Sequence, residues 1–389
     1  MTQRILIIYG TRPEAIKIAP VVLAMREHPD LTPIVAVTGQ HREMLDQVNT
    51  AFGITPDHDL DIITPGQTLS GITVKSLLGL EPIIAAEKPA AVLVQGDTTT
   101  CFAAALAAFY QQVPVVHLEA GLRTDDRYNP FPEEMNRRLT TQLADVHLAP
   151  TARAREALLR DGVHPAAITV TGNTVIDALL RIVETDAPIT DPALARLLRD
   201  PERPMMLVTS HRRESWGEPL RHTAQAVARI ARRFPDLDIL LPAHRNPLVR
   251  AALLPPLAGL PNVVVTEPLD YSDFSRAMRR STLVLTDSGG VQEEAPSLGR
   301  PVLVLRETTE RPEGVEAGSA RLVGTDEETI VTEVTRLLTD QEAYQQMAQV
   351  ASPYGDGRAA ERSIAAIAHF FGLGEPPDQF RPDRSHPGA

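Results

Sequence analysis

Cysteine is almost missing from this 389-residue chain, which carries one, Cys101. A single thiol excludes an intramolecular disulfide and any Cys-x-x-Cys metal knuckle. Its place ahead of the run FAAALAAF reads as a core residue rather than a nucleophile. Positive charge is also short. Lys and Arg number 38 against 50 Asp and Glu, for a formal net charge of -12. Nothing therefore draws the whole chain to nucleic acid or to an anionic membrane, and a phosphate site has to be a local basic pocket. No apolar run is expected to approach the roughly 20 residues of a membrane span. The opening MTQRILIIYG gives way to Arg12, Glu14 and Lys17 too soon for a secretory signal. The expectation is a soluble, cytoplasmic chain. No G-x-G-x-x-G follows either candidate first strand, which disfavours a nicotinamide cofactor. No G-x-x-x-x-G-K-[ST] is present, which removes a P-loop enzyme, and no H-E-x-x-H supports a hydrolytic metal. Cofactors and metals are both expected to be none.

What is present is a rhythm. Short β-branched runs alternate with longer amphipathic ones: RILIIYG, IVAVTG, AVLVQGD, VPVVHLE, VHLAPT and ITVTGN, then, after a Pro-containing polar passage, MMLVTS, DILLPAH, VVVTEPL, TLVLTDSG, PVLVLR and ARLVGT. Near-continuous apolar strands separated by helical segments signal parallel sheets covered on both faces. A chain of this length also exceeds the roughly 250–300 residues at which single cores stop growing. The fold class is α/β, with two doubly wound Rossmann-like domains in tandem. Their expected extents are 1–180 and 181–356, with a tail over 372–389 that its Pro-rich, charged composition predicts to be disordered. In such sheets ligands lie off the carboxyl ends of the strands. An interdomain cleft fed by the loops of both sheets is the expected place for the site.

Two loop clusters carry chemistry. In LTDSGGVQEE, Gly289 and Gly290 stand between a strand and a helix expected to run from Val291. The free N–H groups and positive end of such a helix favour an anion. Charge partners for it are Arg12, Lys17, His211 and Arg311. Glu294, one turn further on, suits the two hydroxyls of a ribose, so a nucleoside diphosphate satisfies both features. The alternative is a tight turn and nothing more. The second cluster is acidic: Asp97, Glu119, Glu133 and Glu134, carboxylates able to serve as acid and base if their surroundings separate their proton affinities. Glu133 and Glu134 also fit the acidic first turn of a helix after Pro132, and Asp97 fits an N-cap. Glu119 has no comparable structural explanation. Of the histidines, His41, His117 and His244 read as satisfied or solvent-facing, whereas His211 at a strand end next to Arg212 reads as functional.

Taken together, GTRPEAIKIAP, QHREMLDQV, GDTTT, EAGLRT, PFPEEMNRRLT, TGNTVIDAL, HRRES, DSGGVQEEAPSLGRPVL, TTERPEGVEAG and PYGDGRA resemble the non-hydrolysing UDP-N-acetylglucosamine 2-epimerases from Arg4 to about Phe371. The resemblance implies the two-domain GT-B-type fold shared with many glycosyltransferases, with a C-terminal helix at about 357–371 returning to the first domain. It implies an isomerase interconverting UDP-GlcNAc and UDP-ManNAc by elimination and re-addition of UDP through 2-acetamidoglucal, in the service of cell-surface polysaccharide biosynthesis. Catalytic roles fall on Asp97, Glu119, Glu133 and His211, with the direction of proton transfer left open. Arg12, Lys17, Ser288, Gly289, Gly290 and Arg311 would hold the diphosphate, Glu294 the ribose and Phe274 the uracil, although Phe274 read alone is an ordinary helix-packing residue. A second, activating substrate molecule would meet Gln40, Gln67, Glu134, Arg212 and His244. The family is usually homodimeric. The alternatives are the hydrolysing branch, which releases UDP and free N-acetylmannosamine, and a GT-B glycosyltransferase.

Overall fold

A computed structural model describes residues 2–39, 42–64, 66–185, 187–212 and 215–382, with the backbone alone at 42–44. The chain divides into two compact units, Met1–Ala178 with Gly355–Arg381, and Leu179–Tyr354. The first is built on strands β1 (Gln3–Tyr9), β2 (Leu31–Val37), β3 (His58–Asp59), β4 (Ala91–Gln95), β5 (Val115–Leu118), β6 (Val146–Ala149) and β7 (Ile168–Val170). The second is built on β8 (Met205–Thr209), β9 (Asp238–Pro242), β10 (Val263–Thr266), β11 (Leu283–Thr286), β12 (Val302–Val304) and β13 (Ala320–Leu322). Every apolar run read from the sequence contributes one of these strands. The addition is β3, two residues paired at the edge of the first sheet.

Both sheets are wholly parallel. Their strand orders are β3-β2-β1-β4-β5-β6-β7 and β10-β9-β8-β11-β12-β13. Winding reverses between β1 and β4 in one and between β8 and β11 in the other, and these are the points where doubly wound sheets hold ligands. Successive side chains of a strand serve opposite faces. Met206 and Val208 join Ile239, Leu241, Leu283 and Leu303 in one core, while Met205 and Leu207 join Leu240, Val284 and Val302 in another. The first sheet repeats the device, with Leu6, Ile8, Val92 and Val94 packed together with Cys101 and Ala104. Each such large side chain stabilises the fold by about 1.5–3 kcal/mol on burial. Cys101 is a core residue as expected, its thiol pushed well up by burial.

Two expectations are corrected. First, the helix Leu69–Glu87 is long and apolar enough, by length and composition, to cross a membrane. It packs along the helix Thr99–Tyr110, buries Ile72, Ser76, Leu80 and Ile84, and leaves Val74 and Leu78 53% and 62% exposed. Second, the stretch 372–382 is not a disordered tail. Past the helix Ala359–Phe370 it returns to β7, where Phe380 N donates to Val170 O at 2.7 Å and Val170 N to Gln379 Oε1 at 2.5 Å. Phe380 is buried there under the Arg362 guanidinium. An aromatic anchor, one main-chain bond and one bond to the Gln379 side chain outweigh the composition of the segment. Residues 383–389 lie outside the described residues.

Candidate functional site

The switch point of the first unit lies between the loops after β1 and β4. Gly10 directly follows β1, where an added Cβ would fall 2.1 Å from Thr38 Oγ1, so only glycine fits. The helix Arg12–Arg26 then begins, and its Glu14 is fully buried. Glu14 Oε2 accepts from the backbone N–H of Gly10 at 3.0 Å and of Thr11 at 2.8 Å. Its Oε1 accepts from the Thr98 hydroxyl at 2.7 Å, which ties the two loops together. Burial raises the proton affinity of this carboxyl, against the bonds it accepts. Arg12 is exposed in the first turn. Lys17, on the same helix, reaches Glu119, with its Nζ 2.7 Å from Oε1.

Glu119 follows β5 directly and adopts φ +62°, a left-handed conformation costly for a side chain bearing a Cβ. It is 8% exposed, and besides Lys17 it accepts from the Gln95 amide at the end of β4. Asp97, on the loop after β4, pairs with Arg137, while its carbonyl accepts from Asn136 Nδ2 at 2.9 Å. Glu133 opens the helix Glu133–Leu143 and is half-buried, with Oε2 buried and unbonded. Burial, then the neighbouring Asp97 charge, pushes its carboxyl up, against its own backbone N–H and Arg137. The three carboxylates thus differ in kind: one tied to a lysine and an amide, one to an arginine, one held by neither and prone to keep a proton.

Glu134 corrects an expectation. It is wholly buried, its Oε1 taken by Arg138 Nε at 2.7 Å and its Oε2 by Arg137 Nη1 at 3.2 Å and Thr124 N at 3.1 Å. That environment fits a residue that fixes the Thr124 loop and Arg137, not one that meets a ligand. Gln67 is half-buried and accepts from Thr64 N and Oγ1, both at 3.3 Å. Gln40 and His41 lie outside the described residues. His117 is buried in β5, its Nε2 donating to Gly96 O at 2.7 Å, and burial pushes it down to about 3, so it is a neutral structural residue.

The second unit's switch point brings Ser210, His211 and Arg212 after β8 against Asp287, Ser288, Gly289 and Gly290 after β11. The helix here is Gly289–Ser297 with Ser288 as its N-cap, so both glycines lie in its first turn, two residues earlier than the sequence suggested. Neither has a positive φ. A Cβ on Gly289 would meet nothing nearer than Arg212 Nη2 at 3.5 Å, and one on Gly290 nothing nearer than Glu294 Oε2 at 3.9 Å. The protein's own packing therefore does not require glycine at either position, and the space before the free N–H groups is open to a ligand.

Glu294 is buried and accepts from the Tyr271 hydroxyl at 3.3 Å. The adjacent Glu293 answers a different need, pairing with Arg311, whose Nη1 also donates to Glu310 O at 3.1 Å. Phe274 is half-buried against the core formed by Met278 and Val284, as its packing reading foresees. Asp287 was not singled out by sequence. It is fully buried, and its Oδ2 accepts from Ser210 Oγ at 3.0 Å, His211 N at 2.7 Å and Arg212 N at 2.9 Å. Burial pushes its carboxyl up, but His211 and these donors prevail and hold it below the usual range. His211 is exposed and stacks on His244, with ring centroids 6.2 Å apart and planes 19° from parallel. Asp287, Glu14, Gln95, Arg137 and Tyr271 are the residues that sequence reasoning missed.

A family model described as UDP-N-acetylglucosamine 2-epimerase matches residues 23–368. The UDP-N-acetylglucosamine 2-epimerase of Escherichia coli (strain K12) is 52% identical over 368 residues, which cover 94% of this chain and 98% of that one. A crystal structure of UDP-GlcNAc 2-epimerase from Neisseria meningitidis bound to UDP-GlcNAc aligns with TM-score 0.85 and 44% identity, over 94% of this chain and 100% of that one. A Streptomyces nogalater glycosyltransferase, 18% identical and covering 95% of this chain and 99% of its own, shares the fold alone with TM-score 0.63, so the architecture is GT-B-like. By sequence and by fold, the chain belongs to the UDP-N-acetylglucosamine 2-epimerase family.

Proposed function

We propose that the chain is the non-hydrolysing kind of epimerase, inverting carbon 2 of UDP-GlcNAc to give UDP-ManNAc without releasing the sugar. Carbon 2 is not adjacent to a carbonyl, so its proton is not acidic enough for direct removal. In the proposed route a carboxylate takes that proton as the bond from carbon 1 to the UDP oxygen breaks, leaving 2-acetamidoglucal and UDP. A proton then returns to carbon 2 on the other face, and the UDP oxygen re-forms its bond to carbon 1. The reading gives the uridine diphosphate to Ser288, Gly289, Gly290, Glu294 and Arg311, with Arg12, Lys17 and Phe274 assisting, and the leaving phosphate to His211. Proton transfer falls to Asp97, Glu119 and Glu133. A second, activating UDP-GlcNAc is proposed on Arg212 and His244, with Gln67; it predicts a sigmoidal rate curve that His244→Ala makes hyperbolic.

The observation that carries the reading is the contrast among the carboxylates. Glu119 with Lys17 and Asp97 with Arg137 are paired with cations, whereas Glu133 has a raised proton affinity and an unbonded oxygen. Such a set can remove and return a proton in one site. Proton NMR of the reaction in deuterated water tests it. The expected product is UDP-ManNAc with deuterium at carbon 2, and free UDP accumulating in step with free N-acetylmannosamine would assign the chain to the hydrolysing branch instead.

A homodimer is part of the same proposal. Val74 and Leu78 are exposed on one helix, and Gln111 Nε2 donates to Glu81 O at 2.9 Å, bringing the exposed Phe109 and Tyr110 to the same end. A second copy covering this apolar face matches what homodimer interfaces bury. Sedimentation of Leu78→Glu should then show monomers, and an unchanged sedimentation coefficient would remove the assignment.

A further inference from the structure

We propose that Asp287 is the positioning residue of His211: it pins the loop that carries the imidazole and fixes which ring nitrogen is turned outward, without itself meeting substrate.

Asp287 is fully buried, and its two oxygens have different work. Oδ2 gathers the Ser210 hydroxyl and the backbone N–H groups of His211 and Arg212, between 2.7 and 3.0 Å. These three bonds set the course of the loop after β8. Oδ1 has no hydrogen bond of its own, and the polar atom it faces is His211 Nδ1, 3.2 Å away but off the line of a good bond. A small rotation of the ring completes the contact. The loop alone would need only one acceptor atom, which a serine or an asparagine can supply. A carboxylate is called for by the second oxygen, since an oxygen that can only accept requires Nδ1 to carry the proton. Nε2 is then left facing away from Asp287.

The other groups facing the ring do not replace this control. His244 stacks on its face, Arg212 follows it and is directed toward Glu310 at 3.9 Å, and Trp216 Nε1 donates to its carbonyl at 3.2 Å. Among these described neighbours, Asp287 supplies the anion. It also directly precedes Ser288, the N-cap of the proposed diphosphate turn, so one residue sets both the loop carrying His211 and the entry to that turn.

The inference rests on the proposed role of His211, and the test separates the two. Asp287→Asn keeps an acceptor for the three donors but sets an NH2 group against Nδ1, which must then give up its proton to Nε2. Nitrogen-15 NMR of histidine-labelled protein, with the His211 signal identified by its loss in His211→Gln, should show Nδ1–H in the wild type and Nε2–H in the variant. This arm reads the tautomer without reference to any reaction. In the epimerase assay, kcat should fall by about 10²- to 10⁴-fold, the range for a histidine held in the wrong tautomer, with KM and UDP affinity within about threefold. In the His211→Gln background the same change should leave kcat unaltered, because a positioning residue has nothing left to position. An unchanged tautomer, or an equal further loss of kcat in that background, would overturn the proposal. If His211→Gln retains full kcat, the role of His211 fails, and the tautomer result still decides whether Asp287 orients it.

Discussion

Alanine at Gly290 separates a ligand-binding turn from a merely tight one. The glycine has no positive φ, and an added Cβ would lie 3.9 Å from its nearest neighbour, Glu294 Oε2. Within the first turn of a helix, alanine costs the folded chain nothing and restricts the unfolded one, so stability should rise by about 0.4–1 kcal/mol. In a unit of this size that is an increase of about 1–4 °C in Tm. A diphosphate seated on the first-turn N–H groups would meet the new methyl, and overpacking of that kind costs about 1–3 kcal/mol. UDP affinity should therefore drop by about 5- to 150-fold. The assay pairs thermal unfolding without ligand and calorimetric titration with UDP. Gly10→Ala is the contrast, because its Cβ would fall 2.1 Å from Thr38 Oγ1 and the same substitution should lower Tm. Wild-type UDP affinity in Gly290→Ala would show that the glycines only make a turn, and a lowered Tm without ligand would show that the backbone needs them.

Glu133→Gln should reduce kcat by about 10²- to 10⁴-fold with UDP affinity unchanged and Tm unchanged or higher, since it removes a carboxyl that burial and Asp97 both disfavour as an anion; calorimetry and a kinetic assay check both. His117 is pushed down to about 3, so between that pH and about 6.5 the unfolded chain takes a proton that the folded chain refuses. Its contribution, about 5 kcal/mol at about 1.36 kcal/mol per pH unit, is present above pH 6.5 and lost as pH falls; urea unfolding of His117→Gln should lack that slope. Asp177 behaves oppositely. Burial pushes it up to about 6 against the backbone N–H groups of Ala360 and Ala359, so stability falls as pH rises from about 4 to 6. The stability of Asp177→Asn relative to wild type should therefore be greater at pH 7 than at pH 4 by about 3 kcal/mol, and equal values at the two pH values would refute the shift.

The architecture was legible because parallel strands covered on both faces are written as uninterrupted apolar runs, and turn residues separate them. β3 was not legible, since two polar residues at a sheet edge carry no pattern. The helix Leu69–Glu87 was missed as a possible span because Lys75, Glu81 and Pro82 interrupt its apolar sequence, although the exposed Val74 and Leu78 give it an apolar outer face. At the site, the residue types in the loops were readable and their partners were not. Arg137 stands three and four residues after Glu134 and Glu133, a helical spacing that could have suggested one of its bonds, but its pairing with Asp97 needs the fold. Lys17 reads as a phosphate ligand, and its pairing with Glu119, 102 residues away with Nζ 2.7 Å from Oε1, also needs the fold. Gln95 had a faint signal as a polar residue closing a strand otherwise made of apolar ones.

The two residues hardest to read from sequence answer one structural problem twice. Where a doubly wound sheet reverses, two neighbouring loops leave the sheet side by side with bare N–H groups, and a buried carboxylate on one can bind donors of the other. Glu14 collects Gly10 N, Thr11 N and the Thr98 hydroxyl; Asp287 collects Ser210 Oγ, His211 N and Arg212 N. Their electrical surroundings differ. The donors to Glu14, two backbone N–H groups and a hydroxyl, are neutral and burial raises its proton affinity, whereas Asp287 faces an imidazole and is held low. A neutral amide should therefore replace Glu14 well. In Glu14→Gln the amide oxygen can accept from Gly10 and Thr11 while the NH2 donates to Thr98, whose hydroxyl reverses. The cost should stay within about 1 kcal/mol, the net worth of one ordinary hydrogen bond. Glu14→Ala strands those buried donors and should cost about 2–4 kcal/mol. Urea unfolding of both variants decides it: if glutamine is as damaging as alanine, the negative charge itself holds the first switch point together, and the contrast drawn between the two carboxylates is wrong.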